Sequence, residues 1–520
     1  MSSYPTYTRR WLLELAASVG GLAGVVRAAS ALELMPGNGN AAPLQLARIS
    51  VPRHVVIVGA GIAGLVSAVE LRRAGYAVTV IEASHRLGGR VLTLRHGDRG
   101  DEIGNRQVCQ FDREPHLYFN AGAWRSPGVH SRILGYCPAL GIGLETHVNA
   151  SSAAWLQYDD FNSGGRVRQR EFNADARGFI AELAARALPS SMLDAPLDSM
   201  ARQQAMEFVL QFGDLDAQRR YQGSIGRAGS QGGGGLYDAG SGKPARGPEE
   251  LLKADYWRSA MQFGESEAQS AVLQPIGGMD RITAALADPL PGRIELETQV
   301  IAIRTSDRGV EVTCRKDSAV RTIRADYCLN SMPGQILAGI DHNFTDMFQR
   351  QLVARPRGSL GKIALQMRER FWEQEGIYGG ISWTSQDIGQ IQYPSHGFGL
   401  RKGIVVGGYY LQPGPQARFN QMSAAERLTA AVQQGEKLHP GYGAQVENGI
   451  SVAWHRMNHM LGCTARDTST ETLRVLRQAE GCHYLIGDQI SAHAGWMEAA
   501  VLSAHDVLNR LNKRQAGTPS

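Results

Sequence analysis

The 520-residue sequence lacks the features that would declare a metal centre, a disulfide scaffold or a permanent membrane anchor. Its six cysteines, Cys109, Cys137, Cys314, Cys328, Cys463 and Cys482, fall in no C-x-x-C or Cys/His spacing. They predict buried free thiols rather than zinc ligands or bridges. Charged residues are only 20% of the chain, and the net charge of +5 is dispersed along it, which excludes the concentrated basic surface of a nucleic-acid binder. The most apolar stretch lies near the N-terminus, ends by Val26 and carries Glu14 near its start, so it is too short and interrupted for stable membrane insertion.

At this length the chain has room for two or three domains or interleaved lobes with a large core. The first 50 residues stand apart. Thr8-Arg9-Arg10-Trp11-Leu12-Leu13, the Gly/Ala-rich run to Val26 and Ala29-Ser30-Ala31 resemble a twin-arginine export signal, which implies an exported protein; a plain extension on a cytoplasmic protein is the alternative. Residues 32–52, with Pro36, Gly37, Gly39, Pro43 and Pro52, read as a linker.

The strongest local signal spans 54–90, HVVIVGAGIAGLVSAVELRRAGYAVTVIEASHRLGGR. The β-branched run His54 to Val58 predicts a buried parallel strand, and Gly59, Gly61 and Gly64 follow at G-x-G-x-x-G spacing. A helix from Ile62 and a second strand, Ala77 to Ile81, close on Glu82. Gly59 allows the tight turn, Gly61 the approach of a pyrophosphate, and Gly64 close packing of helix on strand. Ile62 and Ala63 then place the helix N-terminus against phosphate charge, while Glu82 and Ala83 sit where ribose hydroxyls are held. Gly89 and Arg90 add a second glycine step and a cation, a pattern closer to FAD enzymes than to NAD dehydrogenases.

Farther along, Ala121-Gly122-Ala123-Trp124-Arg125 joins small residues, which let backbone approach a flat ring, to an arginine. Residues 168–212 carry a helical pattern, and 226–247 read as a flexible glycine-rich segment, a solvated loop in the first place and a lid in which Tyr237 and Asp238 touch a substrate as the alternative. Two strands, Val300 to Arg304 and Val310 to Cys314, are joined by a hairpin signal, and 325–330 reads as a central strand. Strands at 362–367, 390–393 and 404–410 suit a substrate-side sheet. Near the end, Gly487 and Asp488 precede Gly495, Trp496 and Met497 at the start of a last helix, a second ligand-facing edge at which Asp488 can accept from ribityl hydroxyls.

Taken together, VGAGIAGL with Glu82, LGGR at 87–90, PIGGMDRI at 275–282 and GDQISAHAGWMEAAVLSA at 487–504 resemble the flavin-containing amine oxidase superfamily, in its L-amino-acid oxidase branch. The resemblance implies an α/β (α+β overall) fold with a Rossmann-like FAD-binding domain interleaved with a mixed-sheet substrate domain and a helical insertion. The expected division is a signal and linker at 1–50, FAD-binding parts at 51–118, 271–345 and 461–520, substrate-domain parts at 119–150 and 346–460, and the insertion at 151–270. It implies FAD, preferably noncovalent although Cys463 falls near a covalent attachment point of monoamine oxidases, with Gly122, Ala123, Trp124 and Val300 added to the cofactor site. Arg125 and Tyr393 are implied to hold a substrate carboxylate, Lys362 a water beside the flavin, and Trp496 an aromatic wall. The implied partners are an amino acid and O2, with no metal and no nucleic acid; a homo-oligomer is left open. The activity implied is oxidative deamination of an L-α-amino acid to 2-oxo acid, ammonia and hydrogen peroxide. Primary-amine or polyamine oxidation, oxidative decarboxylation to an amide, and a noncatalytic flavoprotein remain alternatives.

Overall fold

A computed structural model describes residues 44–188, 198–233, 236–238, 240–259, 271–410, 413–464 and 469–515. The predicted export signal lies outside the described residues. Among them no helix is long and apolar enough to cross a membrane.

Three distant pieces of chain build one parallel sheet, in the order Ile294–Glu295, Ala77–Ile81, His54–Val58, Tyr327–Asn330, His483–Leu485. The strand at 54–58 is apolar at successive positions because both its faces are covered: Val55 and Ile57 enter one core, Val56 and Val58 the other. The helix Ile62–Arg73 buries ten of its twelve residues and shares its core with Val501, Val507, Leu508 and Leu511 of the last helix, Met497–Gln515. Gly64 lets the helix pack closely on the end of strand 54–58, since a Cβ there would strike the carbonyl oxygen of Gly59. Gly59 itself turns at φ +98°, a conformation an L side chain rarely adopts. The predicted hairpin is longer than expected, Gln299–Ser306 against Gly309–Lys316, and joins a four-stranded sheet.

The substrate side is a mixed seven-stranded sheet in the order Val167–Arg168, Trp155–Gln157, Gly380–Thr384, Gln390–Tyr393, Gly403–Tyr410, Gly361–Met367, Val446–Ala453. Two of these strands, 155–157 and 167–168, fall inside the segment expected to be a helical insertion; the helices begin only at Gln169–Ala187. Leu156, fully buried and in register with Trp383, ties that segment into the sheet. The strand Val272–Pro275 likewise pairs with Ser126–Pro127 and Leu144–Thr146 rather than with the nucleotide sheet. In the glycine-rich segment, Leu236 and Tyr237 are 89% and 96% exposed and stand outside the cavity described below, as a solvated loop would.

Strand alternation sorts the substrate sheet into two faces. Ile363, Ile391, Tyr393 and Tyr410 point into an apolar core on one side, where Tyr410 stacks on Phe419. Lys362, Gln390 and Tyr409 point to the other side, toward the nucleotide sheet.

Candidate functional site

Between the two sheets lies a cavity of about 960 Å³. Nearly every residue singled out from sequence lines it: Gly59, Gly61, Ile62, Ala63, Glu82, Ala83, Gly89, Arg90, Gly122, Ala123, Trp124, Arg125, Val300, Lys362, Gly487, Asp488, Gly495, Trp496 and Met497. Gly64 stands one layer back, against Gly59. Tyr393 is the exception.

The nucleotide end is a cradle of backbone. The helix from Ile62 has no acid in its first turn, and a Cβ on Gly61 would meet only the carbonyl of Gly88, at 4.0 Å, leaving that side open to a ligand. A helix N-terminus bared in this way suits a diphosphate. Glu82 is held by two backbone donors, Ala60 N–H at 2.7 Å and Ser84 N–H at 2.8 Å, and burial still raises its pKa. Each carboxylate oxygen keeps a lone pair for a ribose hydroxyl. Gly122 could bear no side chain either, because its Cβ would strike the carbonyl of Arg90. These residues fit an FAD.

Arg90 and Asp488, expected as separate contacts, are bonded to each other across 398 residues of sequence, with one guanidinium nitrogen 2.9 Å from the carboxylate. Arg90 also donates to the Cys463 carbonyl at 2.6 Å, and Gly495 N–H donates to Asp488 at 2.8 Å. Burial opposes ionisation of Asp488, but the Arg90 charge outweighs it and holds the carboxyl at about 2. Arg90 is therefore a clamp between the first and last thirds of the nucleotide site rather than a spare cation. The cation without a carboxylate partner at this end, among the described residues, is Arg357, lowered to about 9 by burial and by the neighbouring Arg90. Sequence reasoning missed it; its signal is Arg355-Pro356-Arg357 just before the central strand. Cys463 corrects another expectation, since it is partly exposed and lines the cavity whereas the other five thiols are buried.

At the opposite end, the Arg125 guanidinium lies 4.8 Å from the Trp124 ring centre and 6.0 Å from that of Trp496. No carboxylate among the described residues pairs with it, and its Nε is buried without a partner. Burial lowers its pKa to about 10. Lys362 Nζ donates to the carbonyls of Gly122 at 2.7 Å and Asn120 at 3.3 Å, and stands 5.0 Å from the Tyr409 ring centre. Burial, with Arg125 adding to it, brings Lys362 down to about 7. Lys362 and Tyr409 are direct partners on neighbouring strands.

The tyrosine facing Arg125 is thus Tyr409, not Tyr393. The Tyr393 hydroxyl sits between Ser382 Oγ at 2.7 Å and His439 Nε2 at 2.6 Å, on the core face of the sheet. Its strand alternates, so Gln390 faces the cavity and Tyr393, three residues on, must face away. His396 has structural partners in Tyr118 and the His116 carbonyl.

Comparison with known proteins bears on the family and the fold. The profile described as Flavin containing amine oxidoreductase matches residues 62–510. An L-amino-acid oxidase of Siganus canaliculatus is 26% identical over 487 residues, covering 90% of this chain and 87% of that protein. The flavin-dependent L-tryptophan oxidase RebO of Lentzea aerocolonigenes is 26% identical, covering 87% and 96%. Among solved structures, putrescine oxidase bound to putrescine (TM-score 0.59, 20% identity) and cyclohexylamine oxidase from Brevibacterium oxydans IH-35A (TM-score 0.60, 18% identity) each match 89% of this chain and 99% of their own, and share the fold.

Proposed function

The chain belongs to the flavin containing amine oxidoreductase family, and from that premise we propose that it oxidises L-α-amino acids, with noncovalent FAD and dioxygen, to 2-oxo acids, ammonia and hydrogen peroxide. The observation that carries the reading is Arg125: a guanidinium enclosed by protein, facing the cavity, with no carboxylate to balance it among the described residues. A buried cation left in that state is costly unless a ligand supplies the anion. A planar fork that accepts a carboxylate bidentately is the natural complement.

The FAD would be held by Gly59, Gly61, Ile62 and Ala63 at its diphosphate, by Glu82 and Val300 at its adenosine end, and by Gly487, Gly495 and Met497 toward its ring. When bound, it supplies the two-electron acceptor and passes the electrons to dioxygen. This chain's residues do the placing. Arg125 and the Tyr409 hydroxyl take the substrate carboxylate, and Trp124 and Trp496 fix the guanidinium from its faces. Holding one end of the substrate in this way orients the α-C–H bond and converts binding energy into alignment. The substrate amine enters as the free base, loses the α-hydrogen with its electron pair and an N–H proton, and leaves as the imino acid. Water then adds and ammonia departs. Lys362, brought into the neutral range by burial, can hold or release a proton beside the reacting centre.

An amine without a carboxylate would leave Arg125 uncompensated. The test is anaerobic flavin bleaching by L-amino acids beside their decarboxylated amines. Amino acids should reduce the flavin far faster, and equal or faster reduction by the amines sinks the reading.

A further inference from the structure

The cavity continues past the reacting end. The Tyr409 N–H donates to Ile388 O at 3.0 Å, which sets the 385–389 turn directly beside that tyrosine. Beyond it, Trp383 and Gln390 form a registered pair on adjacent strands, and Tyr158 also lines the cavity. With strands about 4.8 Å apart, Trp383 lies two spacings, roughly 10 Å, from the Tyr409 strand. That is the reach of an amino acid with a long side chain.

The two lobes differ in charge. The inner one carries Arg125 and Lys362. Among the described residues, the outer lining, at 383–390 with Tyr158 and Asp255, carries Asp255 and Asp387 and no Lys or Arg, and Asp255 is itself already partnered. Asp387 is bonded to Arg418, which lies outside the cavity lining and is exposed at the surface. A separate observation points the same way: Gln390 is 2% exposed, and its amide oxygen finds no donor among the described residues. An acceptor lacking a donor, two aromatic faces and two carboxylates complement a cation that carries N–H groups.

We propose that the substrates are L-α-amino acids with a cationic side chain, the class of L-arginine and L-lysine, spanning from the carboxylate anchor at Arg125 to a cation-binding outer lobe at Trp383, Gln390, Asp387 and Asp255. The proposal rests on the Arg125 reading for the orientation of the substrate. Neutral aromatic side chains would find the aromatic walls but would strand the Gln390 oxygen and face two carboxylates.

The decisive comparison uses the holoenzyme with L-arginine and L-citrulline, which share shape and differ in charge, together with L-phenylalanine and agmatine. The expected kcat/KM for L-arginine exceeds that for L-citrulline and L-phenylalanine by about tenfold or more, carried mainly by KM. In the Asp255→Asn/Asp387→Asn double variant, and separately in Gln390→Leu, the arginine-to-citrulline ratio should contract toward one. L-Citrulline or L-phenylalanine matching L-arginine in the wild type overturns the proposal, as does a ratio unmoved in both variants. Agmatine matching L-arginine overturns the Arg125 anchor instead, and the arginine-to-citrulline ratio still decides the outer lobe. Should neither substrate bleach the flavin, the same ratio read from flavin spectral shifts on binding decides it.

Discussion

The two ends of the cavity treat buried charge in opposite ways. At the nucleotide end Arg90 is clamped to Asp488, and Glu82 is held by two backbone donors. At the substrate end Arg125 has no carboxylate partner among the described residues, and its Nε finds no acceptor there. The chain does pair buried guanidiniums on that side of the molecule, since Arg427 is fully buried and bonded to both oxygens of Glu102 at 2.7 Å. The bare Arg125 is therefore particular to the cavity. Arg90 and Glu82 are satisfied before a ligand arrives, whereas Arg125, among the described residues, lacks an anion that a ligand can bring.

The sharpest way to break this contrast is to remove a partner at each end. Asp488→Ala leaves Arg90 buried with no carboxylate and only the Cys463 carbonyl as acceptor, and should cost about 3–5 kcal/mol of stability. Flavin absorbance should no longer travel with the protein on gel filtration, and a variant that keeps both its flavin and its melting temperature refutes the clamp. Arg125→Gln should behave oppositely. It removes an uncompensated charge, so the ligand-free protein melts no lower than wild type and keeps its flavin, while kcat/KM for amino acids falls about a hundred- to a thousandfold, as for truncating a buried charged contact. An equal fall for the decarboxylated amine would show that Arg125 acts on something other than the carboxylate.

A smaller effect distinguishes the two tyrosines. Tyr409→Phe should raise KM for amino acids about tenfold, the worth of one hydrogen bond to a charged group, with stability unmoved. Tyr393→Phe should leave KM within about twofold and cost about 1 kcal/mol of stability through its lost bonds to Ser382 and His439. Exchanged outcomes would restore Tyr393 to the site.

Why Tyr393 misleads and Gly59 does not is a matter of range. The glycine turn, its strand and its helix are contiguous, so spacing alone carries the geometry at 54–82. The substrate wall depends on pairing between strands far apart in sequence. Tyr409 faces Lys362 because the two pair directly where 403–410 meets 361–367, beside a register shift between Ile363 and Ala364, and a shift of one residue at that point would have presented Tyr410 instead. Nothing in Gly408-Tyr409-Tyr410 says which tyrosine faces in. The Arg90–Asp488 bond is illegible for the same reason: both residues stand out in the sequence as cofactor contacts, yet only the folded sheet brings strands 54–58 and 483–485 close enough for them to meet. Strands of three and two residues, at 155–157 and 167–168, are too short to show a period of their own, so from sequence they read together with the helices that follow.

Lys362 offers the mildest test of the same contrast, because its charge, like that of Arg125, is opposed by burial with no carboxylate in contact among the described residues. Its pKa falls from 10.5 to about 7 in the folded protein. Below pH 7 the lysine is protonated in both folded and unfolded chains, and the full penalty of burying the ammonium is borne. Between pH 7 and 10.5 the folded lysine is neutral while the unfolded one still binds its proton, so this group makes stability rise with pH across that window. Above 10.5 both forms are neutral and the penalty is gone. Lys362→Met, which cannot titrate, should therefore melt above wild type at pH 6.5, by on the order of several degrees. The gap should narrow steadily toward pH 10, which cancels the contribution of every other titrating group common to the two proteins. A gap that is flat with pH, or that widens, would mean that Lys362 keeps its proton in the fold and that the substrate end holds two fixed cations rather than one.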